Sequence, residues 1–165
     1  MAQIEVIYLA GGCFWGVQRY FDGFDGVLRT QVGYANGPDC APSYEQVCRD
    51  SGHAETVKIE YDPERISTGE LLDAYFLVID PLSVNRQGHD EGVQYRTGIY
   101  YTSEEQIPVI REKCGALEQK LGQKIAVERE PIRNFFPAED YHQKYLEKNP
   151  DGYCHIPAAM FRKKK

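Results

Sequence analysis

The sequence predicts a layered α/β or α+β fold in a single domain spanning residues 1–165. Three observations support this. Strand-like and helix-like patterns alternate along the chain, the sequence contains no internal repeat, and a length of 165 residues suits one compact domain. Apolar residues make up 42% of the chain and charged residues 27%, as in ordinary soluble globular proteins. The chain is therefore long enough to bury a core without disulfide support.

The first three elements follow directly from the residue pattern. Ile4–Ala10 is rich in β-branched and apolar residues and is closed by Gly11 and Gly12, which is typical of a buried strand that ends in a tight turn. Apolar residues at helical spacing then predict a helix over Cys13–Phe21. A second strand is expected over Val27–Ala35.

A loop and a third strand complete the first half. Glycine and two prolines in Asn36–Ser43 predict a loop, and Tyr44–Ser51 fits either a short helix or a continuation of that loop. Ala54–Tyr61 alternates between apolar and polar residues, as a half-buried strand does. Glu55 lies on the apolar face of this strand.

The second half repeats the alternation. Ser67 and Glu70 have the spacing of a capping box, and Pro81 is expected to end the helix that they open. The remaining expected elements are a polar loop over Ser83–Gly92, a strand over Tyr95–Thr102, a helix opened by Ser103 with Gln106, a strand over Lys124–Glu130, a helix over Ala138–Lys148 and an irregular tail after Asn149.

Charge and hydropathy exclude several classes of function. A net charge of −6 argues against nucleic-acid binding, which usually needs a basic face. No apolar run approaches the roughly 20 residues of a membrane span. The opening sequence MAQIEVIYLAGG lacks the basic region of a secretory signal, so we expect a cytoplasmic protein.

Five cysteines form an odd set without a CxxC pair, unlike a disulfide scaffold or a zinc ribbon. Cys13 follows two glycines at a predicted strand-to-helix turn. Backbone N–H groups and the helix dipole favour a thiolate at that position, and a thiolate is the nucleophilic form. The alternative is a buried, inert thiol, because free cysteine is among the most buried residue types.

Neighbouring residues suggest what such a thiolate could attack. Phe14 and Trp15 can form an apolar wall for a small group such as a methyl, or can simply be core residues. Burial would keep Glu55 protonated and make it a candidate general acid, whereas a position at the strand edge would leave it ionised. His53 shares the face of Glu55 and could pair with it.

Other candidates are weaker on pattern alone. Tyr44 and Tyr95 can donate hydrogen bonds without charge, but tyrosine is common here, so the pattern alone favours a structural role for each. Asp90 could anchor a substrate amide or cap a turn. Cys154, in the irregular tail, is a candidate resolving cysteine, with Cys40 in the Gly/Pro loop as its rival.

Four motifs occur in one order along the chain: GCFWG at Gly12–Gly16, GHAE at Gly52–Glu55, QYR at Gln94–Arg96 and YHQKYLEKNPDGYC at Tyr141–Cys154. Together they resemble the peptide methionine sulfoxide reductase A family from about Ile4 to Cys154. The resemblance implies a two-layer α/β (α+β) sandwich, in which helices flank a mixed sheet. It also implies an enzyme that reduces the S epimer of methionine sulfoxide, free or in proteins. We expect a monomer.

The resemblance also implies a role for each candidate. Cys13 would be the nucleophile, and Phe14 and Trp15 would bind the methyl group. The groups that would hold and protonate the sulfoxide oxygen are Glu55, Tyr44 and Tyr95. Asp90 matches a substrate-binding acid and Cys154 a recycling cysteine, which would form a disulfide with Cys13 for thioredoxin to reduce. No metal or organic cofactor is implied.

One departure and two alternatives remain open. After Cys154 the chain continues HIPAAMFRKKK, without the second recycling cysteine that many members carry. Thioredoxin would then act directly on the Cys13–Cys154 bond, unless a small thiol or Cys40 resolves the intermediate. A thiol peroxidase, or an adaptor that binds oxidised methionine without turnover, could use similar residues.

Overall fold

A mixed sheet forms the frame of the molecule, in a computed structural model that describes residues 4–37, 52–87, 90–149 and 156. Along these residues the elements are β1 (Glu5–Gly11), α1 (Phe14–Asp22), β2 (Val27–Ala35), β3 (Ala54–Tyr61), α2 (Thr68–Phe76), β4 (Arg86–Gln87), β5 (Asp90–Glu91), β6 (Thr97–Tyr101), α3 (Gln106–Leu121), β7 (Glu128–Pro131), β8 (Phe135–Pro137) and α4 (Tyr145–Lys148), with 3-10 helices at Val93–Tyr95 and Asp140–His142.

The six strands of this sheet lie in the order β7-β6-β1-β3-β2-β8. The pair β6 and β7 is parallel and the other neighbours are antiparallel. The central register places Leu9 opposite Val57 and Tyr34 opposite Glu55. Because β1 runs antiparallel to β3, the C-terminal end of β1, which leads into α1, lies beside the beginning of β3.

One face of the sheet carries the main core, and the helices α1, α2 and α3 contribute to it. Alternate residues of the central strands enter this core, among them Leu9, Val57 and Ile59. A smaller cluster, which includes Ala10, Ala54 and Tyr100, lies on the other face. The fold is therefore α+β with a mixed sheet, as predicted.

Several predicted boundaries are confirmed. The strands β2 and β3 have the expected limits, and β1 and α1 are each shifted by one residue. Ser67 forms the predicted capping box with Glu70, in which each side chain accepts a hydrogen bond from the other residue's backbone N–H. These two bonds satisfy two backbone N–H groups that would otherwise lack partners at the start of the helix. Because both partners are close in sequence, the pattern predicts this helix start.

The region after α2 differs from the prediction. The helix ends at Phe76 and does not continue to Pro81. The chain then forms a turn in which Asp80 N–H donates to Gln87 Oε1 at 2.8 Å and Gln87 Nε2 donates to Asp80 O at 3.0 Å. The expected polar loop contains the antiparallel strand pair β4–β5. These contacts between positions seven residues apart have no local signature.

The strand predicted over Tyr95–Thr102 is shorter, because its first residue belongs to a 3-10 helix. Ser103 does not cap the next helix, which begins at Gln106. The Gln106 side chain donates to Val6 O at 3.0 Å and to the Tyr61 hydroxyl at 3.1 Å. The Gln106 side chain therefore binds β1 and β3 in addition to a local bond in which its Oε1 accepts from Thr102 N–H at 2.8 Å, and the Ser103 side chain takes no part in these bonds. The strand expected from Lys124 also begins later, at Glu128.

The helix predicted over Ala138–Lys148 is wrong as a continuous element. A 3-10 helix at Asp140–His142 and α4 are separated by Gln143 and by Lys144, whose φ is 56°. A left-handed residue interrupts an α-helix. The side chain of Gln143 binds β2 and that of Lys144 binds Asp22 of α1, and these contacts fix the interruption between the 3-10 helix and α4. The predicted irregular tail after Asn149 lies outside the described residues, apart from Ile156.

Within the described ranges, no helix combines the length and the apolar character that crossing a bilayer requires.

Candidate active site

Cys13 occupies the N-cap position of α1, directly after the turn that ends β1. Gly12 has a φ of 86°, a conformation that favours glycine, and it turns the chain from the strand into the helix. A Cβ on Gly11 would lie 2.9 Å from Ile79 Cγ2, so the chain passes close to the segment after α2. Cys13 is 7% exposed. The sulfur therefore sits at the positive end of a nine-residue helix with limited access to water.

Glu55 is fixed beside this helix start. One carboxyl oxygen, Oε1, accepts a hydrogen bond from the backbone N–H of Phe14 at 3.3 Å, and Glu55 is 1% exposed. Its other oxygen, Oε2, is buried and has no hydrogen-bond partner among the described residues. Since Phe14 N belongs to the peptide that follows Cys13, the carboxyl group lies next to the cysteine backbone.

Burial raises the pKa of Glu55 to about 8, from an ordinary value of 4.5. The hydrogen bond from Phe14 N–H acts in the opposite direction, and the negative charge of Asp90 adds to the increase. A carboxyl group with this pKa is mostly protonated at pH 7. It can therefore donate a proton to an oxygen in the site.

Aromatic residues form one side of the site. Phe14 is buried and lies 5.3 Å from the His142 ring and 5.7 Å from the Tyr34 ring, measured between centroids. The half-buried Trp15 stacks on Tyr145, with centroids 3.7 Å apart and an interplanar angle of 12°. Offset or stacked rings of this kind make a rigid apolar surface.

Trp15 is also held through its polar edge. Its indole Nε1 donates to His142 Nδ1 at 3.0 Å. Burial lowers the pKa of His142, which favours the neutral imidazole that can accept this bond. The indole is thus fixed at its face by Tyr145 and at its edge by His142.

Tyr34 faces Glu55 across the β2–β3 pair and is fully buried. Its hydroxyl donates to Glu139 Oε1 at 2.9 Å. Burial, together with this carboxylate, strongly raises the Tyr34 pKa, so the hydroxyl stays protonated. Tyr34 therefore lies beside Phe14 and opposite Glu55 as a neutral group.

Asp90 and Tyr95 lie on two consecutive elements, β5 and the 3-10 helix Val93–Tyr95. Asp90 begins β5, pairs with Gln87 and is close enough to Glu55 to raise its pKa. Tyr95 ends the 3-10 helix that packs against β3, and its backbone N–H donates to Gly92 O at 3.0 Å. Both residues thus belong to the elements around β3, on which Glu55 lies.

The predicted site residues fall into two groups. The structure brings together Cys13, Phe14, Trp15 and Glu55, with Asp90 and Tyr95 on neighbouring elements. The other predicted residues, Tyr44, Cys154 and the rival Cys40, lie outside the described residues. His53 packs edge-on against Phe136, with ring centroids 5.7 Å apart.

Sequence reasoning missed His142 and Tyr145 as neighbours of Trp15. The available signal was their three-residue spacing within YHQKYLEKNPDGYC, but an expected continuous helix gave no reason to place them against α1. Among the residues that the structure describes, no group of three or more His, Cys, Asp and Glu side chains is arranged to hold a metal ion.

Comparison with known proteins identifies the family of this chain. The family model described as peptide methionine sulfoxide reductase matches residues 5–165. A curated relative from Clostridium acetobutylicum, peptide methionine sulfoxide reductase MsrA, is 56% identical over 161 residues, which cover 97% of this chain and 99% of the relative.

Solved structures with the same fold include Mxr1 from Saccharomyces cerevisiae in reduced form. It has a TM-score of 0.88 and 37% identity, over 99% of this chain and 93% of that chain. Mxr1 in complex with Trx2 has a TM-score of 0.62 and 28% identity, over 87% of this chain and 85% of that chain. The chain belongs to the peptide methionine sulfoxide reductase family, whose members are oxidoreductases that reduce methionine sulfoxide.

Proposed function

We propose that this enzyme reduces the S epimer of methionine sulfoxide, free or within proteins, with Cys13 as the nucleophile and Glu55 as the acid. The observation that carries this assignment is the buried carboxyl group of Glu55, which accepts a hydrogen bond from the peptide N–H that follows Cys13 and whose pKa burial raises to about 8. Sulfoxide reduction needs these two groups together. A thiolate attacks the sulfur, and an acid protonates the oxygen as its bond to sulfur weakens.

In the first step, the Cys13 thiolate attacks the sulfoxide sulfur while Glu55 transfers its proton to the oxygen. This attack forms a bond between the two sulfurs. The hydroxyl group then passes from the methionine sulfur to the Cys13 sulfur as the sulfur–sulfur bond breaks, which gives a Cys13 sulfenic acid and methionine. Cys13 is oxidised by two electrons, and the sulfoxide is reduced to the thioether of methionine. Glu55 is left as a carboxylate and regains its proton before the next cycle.

Several groups orient the substrate. Phe14 and Trp15 bind the methyl group, Tyr95 and Tyr44 donate hydrogen bonds to the oxygen, and Asp90 binds the polar part of the substrate. Chirality follows from this arrangement, because the methyl group and the oxygen must meet different walls while the sulfur faces Cys13. Only one epimer satisfies all three requirements.

In the second step, the Cys154 thiol attacks the sulfenic acid. A disulfide forms between Cys13 and Cys154, and the hydroxyl of the sulfenic acid leaves as water. A thioredoxin dithiol then reduces the disulfide and becomes oxidised itself. The complex of the structurally similar Mxr1 with Trx2 supports a thioredoxin as the electron donor. Cys40 or a small thiol is the alternative resolving group.

Turnover of each sulfoxide epimer in a peptide, with thioredoxin and its reductase, tests the scheme. We expect wild type to consume only the S epimer, Cys13→Ser to be inactive and Cys154→Ser to complete a single turnover. Continued cycling of Cys154→Ser with thioredoxin would transfer the resolving role to Cys40 or a small thiol. Activity of Cys13→Ser would refute the nucleophile assignment.

A monomer in the cytoplasm suits this chemistry. A reducing compartment keeps the reactive thiols and thioredoxin in their dithiol forms. The net charge of −6 gives no basis for a nucleic-acid partner. Sedimentation at micromolar concentration, together with fractionation of cells, would test the oligomeric state and the compartment.

A further inference from the structure

The break between the 3-10 helix and α4 has a structural consequence for Trp15. We propose that Gln143 and Lys144 are positioning residues that hold His142 and Tyr145 against Trp15 and so fix the wall that receives the sulfoxide methyl group. This inference rests on the proposed function of Trp15. Neither residue touches the site itself, and each acts through the segment that it anchors.

Gln143 binds the backbone of β2 as a neighbouring strand would. Its Oε1 accepts from Val32 N–H at 3.0 Å, and its Nε2 donates to Val32 O at 2.9 Å and to Ala138 O at 3.1 Å. The strand β8 pairs with β2 at Gly33–Ala35, and Ala138 N–H donates to Val32 O at 3.0 Å, so the Gln143 side chain completes this pairing by accepting from Val32 N–H. Three hydrogen bonds from one amide give the segment a fixed distance from the sheet.

Lys144 ties the same segment to α1. Its backbone N–H donates to Gln18 Oε1 at 2.7 Å, and Gln18 is fully buried. Its ammonium group donates to Thr30 Oγ1 at 3.1 Å and forms an ion pair with Asp22. Thr30 in turn donates to Asp22 at 2.6 Å, which closes the network.

The two anchors lie between the two residues that contact the indole. Gln143 and Lys144 point to β2 and α1, whereas His142 and Tyr145 contact Trp15. Because α1 also carries Cys13, the Lys144 network fixes the wall relative to the nucleophile. Loss of either anchor should release the stack from one side of the indole without changing Cys13 or Glu55.

Trp15 is the only tryptophan of the chain, so its fluorescence reports directly on the proposed effect. The variants are Gln143→Ala and Lys144→Asn, since asparagine tolerates the left-handed conformation. Matched controls are Gln123→Ala and Lys120→Ala, both exposed positions. We expect emission to shift to longer wavelength and iodide quenching to increase in the two variants, and neither to change in the controls.

Kinetics separate positioning from a general loss of stability. The methyl contact exists both before and in the transition state, so its loss should raise KM about tenfold with little change in kcat. A merely structural role would instead reduce the active fraction, which lowers kcat at constant KM. In a Trp15→Ala background, Gln143→Ala should have little further effect, because the group that it positions is absent.

Unchanged quenching in a folded Gln143→Ala protein, or kinetic effects that add fully to those of Trp15→Ala, would overturn the proposal. If Gln143→Ala does not fold, Lys144→Asn decides by the same criteria. Absence of sulfoxide reduction in the wild type would refute the proposed function alone, because the quenching comparison tests the anchors independently of activity.

Discussion

At the scale of single residues, Glu55 shows what a sequence pattern can predict about a side chain and what it leaves open. Alternation in β3 placed its carboxyl group on the apolar face, and two outcomes were open, a buried neutral acid or an ionised edge residue. The structure shows that Glu55 is buried, and burial raises the pKa of its carboxyl group to about 8, which favours the protonated form at neutral pH. Its bond to Phe14 N–H joins residues 41 positions apart, and no local pattern could have predicted it.

Replacement of this acid provides the first prediction. Glu55→Gln keeps an oxygen for Phe14 N–H but cannot release a proton, so we expect the sulfoxide step to slow by about 10²–10⁴-fold. In the wild type, the rate should fall as pH rises through about 8, because the carboxyl group then loses its proton. Single-turnover rates from pH 6 to 10 would show this fall in wild type and not in the variant.

Glu60→Gln, on the same strand, serves as the control and should retain the wild-type profile. An unchanged alkaline fall in Glu55→Gln would assign that titration to another group.

Trp15 provides the second prediction, which separates the two thiol chemistries that the sequence left open. A methyl-sized contact in an apolar pocket is worth about 1–3 kcal/mol, or about 10–200-fold in specificity. Trp15→Ala should therefore lower kcat/KM for sulfoxide reduction by about 10–200-fold. Reaction of Cys13 with hydrogen peroxide needs no methyl pocket and should change little. Equal losses in the two assays would argue against Trp15 as a methyl-binding residue.

At the scale of elements, sequence patterns succeeded where the determinants are local. The limits of β2 and β3 follow from alternation, and the start of α2 follows from the Ser67 capping box. Sequence patterns failed where tertiary contacts override the local preference for helix. Gln106 binds the neighbouring strands, and Gln143 with Lys144 interrupts an otherwise helical pattern. The same interruption brings His142 and Tyr145 to the site, so this failure and the missed site residues have one cause.

The two serines predicted as caps allow a direct test at this scale. Ser67→Ala removes a side-chain acceptor at a helix start and should reduce the free energy of unfolding by about 1 kcal/mol. Ser103→Ala should have a much smaller effect, because Ser103 does not cap α3. Urea denaturation of both variants would measure the difference, and similar losses of stability would contradict the assignment. Neither substitution should alter sulfoxide reduction.

At the scale of the whole molecule, the site depends on contacts between distant parts of the chain. Trp15 and His142 are 127 positions apart, as are Arg19 and Leu146, whose backbone oxygen accepts a bond from the guanidinium at 3.3 Å. The nucleophile, the acid and the aromatic wall therefore come together only when the sheet and its flanking helices are complete. Any loss of the global fold removes all three at once.

The buried acid also links global stability to pH, which gives the last prediction. Between pH 4.5 and about 8 the folded state keeps a proton on Glu55 that the unfolded state releases, so this group makes stability fall as pH rises through that window. Its contribution is full below the unfolded pKa and is lost by about pH 8. The total change is on the order of 5 kcal/mol at most, by the conversion of pKa shifts to free energy.

Glu55→Gln lacks this titration, so its stability relative to wild type should increase from pH 5 to about pH 8 and then level off. Urea denaturation at several pH values would measure both curves, with Glu60→Gln expected to follow the wild type. Parallel curves for wild type and Glu55→Gln would show that Glu55 is already ionised in the folded enzyme, and the proposed general acid would then have to be another group.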